Sequence, residues 1–316
     1  MNITLTLKRY LPIGLVFLLG AAVLAFSGAC SDSVGQDSSL EDRGYASTKR
    51  LVSTDWVAKN LNTENVVVID VSKQEQYDEG HIPGALSYPT SELQVVNDAG
   101  VKGMIPPGGT IAAKLSSLGV SPGDTIIIYD HIKSLWGSRL LWTLLVYGHD
   151  DVRLMDGAYG LWVKEGRSVS TDTPSTASSS YKFTDKPDTS LIVRLDQVLA
   201  DIDDDSSLMV DTRSADEYAG RAVRSARGGH IPESVHLEWT QNVDEDGRFL
   251  SADKLEDLYL GSDITDDLVI YTLCQTAVRA THSWFVLSEL LGYDDVAVYD
   301  GSWAEWGNIE DTPIDS

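Results

Sequence analysis

The sequence predicts an α/β protein of two similar domains, each a mainly parallel sheet flanked by helices, and three observations lead there. The chain repeats itself: residues 66–89 echo 207–239, and the block ending at Gly157 echoes the block ending at Gly301 with a constant offset of 144. Short unbroken apolar runs recur at 66–69, 126–129, 208–210 and 268–271, as strands buried on both faces require. Amphipathic stretches at 138–147 and 281–291 stop at Gly148 and Gly292, where a left-handed helix cap favours glycine. Strand alternating with helix is the signature of a parallel sheet covered by helices.

The first thirty residues stand outside that pattern. Lys8 and Arg9 form a short basic region, residues 11–26 are nearly all apolar, and Ser27-Gly28-Ala29-Cys30 closes the run. This is the order of a secretory signal, and the run falls short of the roughly 20 residues of a spanning helix. A Cys placed after small residues resembles a bacterial lipobox, in which Cys30 carries the lipid and begins the mature chain. An uncleaved signal anchor is the other reading. Both put the domains outside the cytoplasm and hold them to a membrane, on its periplasmic or cell-surface side. Residues 31–50 read as a flexible polar tether, 51–169 as the first domain, 170–190 as a Ser/Thr-rich linker and 191–316 as the second domain.

Composition limits the partners. The net charge is -24, with 48 acidic against 24 basic residues, so nucleic acid is excluded as a partner because its phosphates demand clustered Lys and Arg. Asp outnumbers Glu 34 to 14, and Lys numbers only 11. Such a surface suits a high-salt habitat, or is simply soluble. Two cysteines exist, Cys30 and Cys274. With Cys30 in the anchor, Cys274 is an unpaired thiol in a compartment that favours disulfides, either buried and inert or kept for chemistry.

Cys274 follows an apolar run and precedes a helical stretch, in the segment Cys274-Gln275-Thr276-Ala277-Val278-Arg279-Ala280. A loop that leaves a strand end and enters a helix aims several backbone N–H groups at one centre, which stabilises a thiolate and any anion beside it. Arg279 adds a fixed positive charge. In the first repeat Asp130 stands opposite Cys274 with no gap.

These markers together resemble the rhodanese family, specifically its two-domain sulfurtransferases. They are Asp211-Thr212-Arg213, the Gly-His-Ile-Pro turns at 80–83 and 229–232, the Cys274 loop, and the pairs Asp156-Gly157 and Asp300-Gly301. The resemblance implies an inactive first domain and a Cys274 persulfide in the second, formed from thiosulfate and passed to cyanide or a thiol, with no cofactor or metal. It implies that the loop N–H groups from Gln275 to Ala280, including those of Thr276, Ala277 and Val278, cradle the transferred sulfur. Arg213 matches the family's donor-binding arginine, and Arg221, Arg224 or Arg227 supplies a second anion contact. Four residues separate Cys274 from Arg279, one fewer than in the related phosphatases, which suits sulfur rather than phosphate. The loop is of the Cys-Gln-Thr thiosulfate type and lacks the pattern of mercaptopyruvate enzymes, the alternative donor class; the other alternative is a persulfide carrier or delivery module with negligible turnover. From those enzymes comes one further expectation, a proton relay from Thr276 through His81 to Asp70. The alternative is that both turn histidines merely fix their turns. Ala277 and Glu233 stand where glycine is usual; if Ala277 needs positive φ, its Cβ restricts the loop.

Overall fold

The structure, a computed structural model, describes residues 34–183 and 186–316. Cys30 and the leader lie outside the described residues, and no described helix is long and apolar enough to cross a membrane. The first domain contains β1 (Leu51–Ser53), β2 (Val66–Asp70), β3 (Leu86–Ser87), β4 (Val95–Val96), β5 (Lys102–Met104), β6 (Thr125–Tyr129) and β7 (Val152–Asp156). The second contains β8 (Ile192–Val193), β9 (Ser207–Asp211), β10 (Val235–His236), β11 (Val269–Leu273) and β12 (Val296–Tyr299). The sheets run β1-β7-β6-β2-β3 and β8-β12-β11-β9-β10, the same path twice, with every neighbouring pair parallel. Strands β4 and β5 form a separate antiparallel hairpin. The four apolar runs are the interior strands β2, β6, β9 and β11, one or two residues longer or shifted, while β7 and β12 are interior as well. Asp130 and Cys274 each follow the carboxyl end of the middle strand, where loops of a parallel sheet gather.

The helices that leave those loops join the domains. Leu135–Val146 and Val278–Trp284 pack against each other, and the second continues as a π-helical turn, Phe285–Leu290. Trp142, Leu144, Trp284 and Phe285 belong to one apolar core that extends through both sheets. Lying between two domains, the Leu135–Val146 helix is buried nearly all round, as its composition requires. Both stretches end as expected at left-handed glycines, Gly148 at φ 88° and Gly292 at φ 75°.

The expected flexible tether is corrected from residue 34 onward. Asp37 is buried, caps a short 3-10 helix (Ser38–Arg43) and accepts the Ser53 amide at 2.7 Å. Arg43 Nη1 reaches Asp156 Oδ2 at 3.2 Å in the first domain, while Tyr45 donates its hydroxyl to Leu250 O at 2.7 Å in the second. Short polar residues here satisfy buried backbone groups, so polarity was a poor guide to looseness. Within the linker, Ser170 and Tyr181 lie against the first domain: the His81 and Ser170 backbones pair, and Tyr181 is buried.

The two Gly-His-Ile-Pro turns are built alike. His81 Nδ1 lies 2.8 Å from Tyr77 O with the rings stacked at 3.8 Å, and His230 Nδ1 lies 3.0 Å from Tyr218 O with the rings at 3.7 Å. The residue after proline is left-handed in both, Gly84 at φ 82° and Glu233 at φ 58°. An exposed Glu held there is strained, so Glu233→Gly is expected to stabilise the chain by about 1 kcal/mol. A urea midpoint unchanged or lowered by this substitution would count against the strain.

Candidate active site

Cys274 is 1% exposed, at the base of a loop held from below by Ser302. The Ser302 hydroxyl accepts the amides of Cys274 at 3.2 Å and Ala277 at 3.1 Å, and donates to Tyr299 O at 2.8 Å. The Cys274 and Gln275 carbonyls accept the amides of Trp303 and Ala304, both at 2.9 Å. Ala277 takes φ 61°, so the positive angle inferred from the usual glycine is present and the loop carries its strain. The hairpin of the first domain closes the outer side. Gln94 Nε2 donates to Thr276 O at 2.9 Å, and a Cβ placed on Gly103 would lie 2.4 Å from the Thr276 Cβ.

The first repeat shows what such a loop holds. The Asp130 carboxylate accepts four backbone amides, from Ile132 at 2.7 Å, Ser134 at 3.0 Å, Trp136 at 2.7 Å and Gly137 at 2.9 Å. Complete burial raises its pKa even against those four bonds. At the offset of 144 the same amides belong to Thr276, Val278, Ala280 and Thr281. Among the described residues the first three have no acceptor. The loop after β11 therefore presents an anion cradle that its neighbour fills with its own carboxylate.

Arg279 lies beside the cradle and is fixed by Glu217, Nη1 to Oε2 at 2.6 Å and Nη2 to Oε1 at 3.0 Å. Burial works against the charge of Arg279, but Glu217 and the Cys274 sulfur raise its pKa overall. Burial likewise opposes the Glu217 carboxylate, yet Arg279 and Ser214 bring its pKa down to about 2. Arg224, largely exposed, places Nε 3.2 Å from Glu217 Oε1, on the same carboxylate that holds Arg279. Arg221 is exposed and pairs with Asp216 at 2.7 Å, and Arg227 is used up on carbonyls of the C-terminal segment, including Glu310 O and Thr312 O.

Two expectations are corrected. Arg213 is 1% exposed; Asp211 grips it, Gly229 O accepts its Nη2 at 2.7 Å, and its guanidinium lies 4.3 Å over the Trp303 ring. Nε and Nη2 are both engaged with Asp211 and Gly229 O, so the almost wholly buried side chain braces the strand end rather than standing open to a donor. The relay through His81 and Asp70 does not form either. His81 is fully buried between Tyr77 O and Asp172 O, and Asp70 pairs with His131 at 3.2 Å. Neither touches Thr276, which meets Gln94 and Gly103 instead. Sequence reading missed Ser302, Glu217 and the hairpin. Ser214-Ala215-Asp216-Glu217 is legible as a helix capping box, and the structure has that box. Its second role, holding an arginine 62 positions away, has no local signal.

A family model described as a rhodanese-like domain matches residues 53–165 and again 194–309. The sulfur carrier protein TtuD of Thermus thermophilus is 38% identical over 283 residues, 86% of this chain and 98% of that protein. A thiosulfate sulfurtransferase of Corynebacterium glutamicum is 33% identical over 282 residues, 86% of this chain and 92% of that one. Among solved structures, the anaerobic ergothioneine biosynthesis enzyme of Chlorobium limicola superposes with a TM-score of 0.76 at 22% identity, covering 86% of this chain and 71% of that one. That last likeness concerns the fold alone.

Proposed function

The chain belongs to the rhodanese family, and from that premise we propose that it is a sulfurtransferase carrying sulfane sulfur from thiosulfate on Cys274. The Cys274 thiolate attacks the outer sulfur of thiosulfate. The S–S bond of the donor breaks, its electron pair leaves with sulfite, and Cys274 holds a persulfide. The amides of Thr276, Val278 and Ala280 stabilise the negative terminal sulfur, with Arg279 compensating its charge. A thiol or cyanide then attacks that sulfur, and the electron pair of the breaking bond returns to Cys274 as thiolate. The observation that most supports this reading is the Asp130 carboxylate, bound by four amides, three of whose counterparts in the cysteine loop have no acceptor among the described residues.

Thiosulfate is expected to be the better donor. In a steady-state comparison with cyanide as acceptor, thiosulfate should exceed 3-mercaptopyruvate in kcat/KM by about tenfold or more, since donor discrimination by a polar site reaches that scale. A preference for 3-mercaptopyruvate would overturn the choice of donor. The full burial of Cys274 and the likeness to a sulfur carrier protein favour a second version, in which the persulfide forms once and turns over slowly. Rapid single-turnover loading with negligible steady-state thiocyanate would select it. We also propose export and lipid anchoring at Cys30; the mass of the mature N-terminal peptide from isolated membranes tests this.

A further inference from the structure

Arg139 lies in the inactive domain, on the Leu135–Val146 helix, and is completely buried. Its Nη1 is 2.8 Å from Asp300 Oδ1 and its Nη2 donates to Gly103 O at 3.1 Å. Both partners adjoin the cysteine loop from opposite sides. Gly103 is the residue whose Cα packs on Thr276, in a hairpin whose Gln94 also binds the Thr276 carbonyl. Asp300 accepts the Ile105 amide at 2.8 Å and precedes Gly301 and Ser302, the serine that holds Cys274 and Ala277. One guanidinium thus ties the two walls between which residues 274–277 are suspended.

The opposite side of the molecule supplies a built-in comparison. Asp156, opposite Asp300 at the offset of 144, accepts the Phe249 amide at 2.8 Å just as Asp300 accepts that of Ile105. Its arginine, however, is Arg43, from the segment ahead of the first domain, at 3.2 Å. The position matching Arg139 in the second domain is Ser283. Both clasps set an arginine on a buried Asp between parts of the chain, Arg43 partly exposed and Arg139 fully buried, but only the Arg139 clasp borders the loop that holds the thiol. The Arg43 clasp borders the Asp130 loop, which carries its own carboxylate.

We propose that Arg139 is a positioning residue for Cys274, by which the inactive domain fixes the geometry of the sulfur cradle. The idea rests on the sulfurtransferase reading above. Misplacing a reacting group by a fraction of an ångström is costly, so the effect belongs to the loading step rather than to donor affinity.

The test compares Arg139→Met, Arg139→Lys and Arg43→Met in the full chain. Sulfite release is followed in a single turnover with thiosulfate, beside thermal unfolding. Arg139→Met is expected to slow loading by about tenfold or more with little change in the half-saturating thiosulfate concentration, and Arg139→Lys to recover part of the loss. Arg43→Met is expected to lower the unfolding temperature, by less than Arg139→Met because Arg43 is partly exposed, yet to load within about twofold of the wild type, because it breaks the matching Asp–Arg contact away from the thiol. Equal loading by Arg139→Met and wild type, or equal slowing by Arg43→Met, would overturn the proposal. If Arg139→Met does not fold, the pair Arg139→Met with Asp300→Asn removes both buried charges, and Gly103→Ala presses directly on Thr276; both should load slowly, and normal loading by either overturns it. A wild-type chain that releases no sulfite would overturn the reading of the site itself, whereas a loading wild type with an equally fast variant overturns only the role of Arg139.

Discussion

Cys274→Ser is expected to abolish thiocyanate formation from thiosulfate and cyanide while leaving the chain folded. A serine oxygen cannot carry the transferred sulfur as a persulfide, and Cys274 is the free cysteine of the described residues. The first domain offers no substitute at the equivalent place, where Asp130 stands bound by its own loop. The substitution replaces a sulfur by an oxygen of similar shape in a buried site, so its cost in stability is modest, about 1 kcal/mol. Activity retained by a folded Cys274→Ser chain would remove the thiol from the mechanism.

Glu217→Gln is expected to slow sulfur loading by about tenfold to a hundredfold, through Arg279 rather than through contact with the donor. The Glu217 side chain is 1% exposed and that of Arg279 17%, and the amide leaves the guanidinium beside Cys274 without its counter-charge. Breaking a buried pair from one side costs about 3–5 kcal/mol, of which solvent access to Arg279 relieves some. The acid dependence provides a second readout. The pKa of Glu217 lies at about 2 in the folded chain against 4.5 ordinarily, so its stabilisation is complete above 4.5 and disappears as pH falls toward 2. The stability gap between wild type and Glu217→Gln, from urea unfolding, should therefore shrink over that window. A gap that stays constant would mean the carboxylate is not what holds Arg279.

The repeat carried most of the architecture. An offset of 144 is enough to place Asp130 against Cys274, and the four apolar runs are four of the six interior strands. The edge strands β1, β3, β8 and β10 have two or three residues each, too few for a periodic pattern to register. Helix ends were legible at Gly148 and Gly292 because only backbone conformation matters there. At Arg213 the sequence motif named the residue but not the direction of its side chain, which Asp211 and Trp303 turn inward. His81 failed as a relay for the same kind of reason: its ring nitrogens face carbonyls of the preceding helix and of the linker, Tyr77 O and Asp172 O. Ser302, Gln94 and Gly103 reach the Cys274 loop only through tertiary contact, and none of their local surroundings marks them.

In the proposed mechanism the loop after β11 holds one transferred sulfur on Cys274. The most direct measurement mixes the full chain with thiosulfate alone, counts the sulfite released and maps the added mass to a peptide. The expected result is one sulfite per chain and one sulfur atom on the peptide containing Cys274. Sulfite released without sulfur on that peptide, or no release at all, would contradict it.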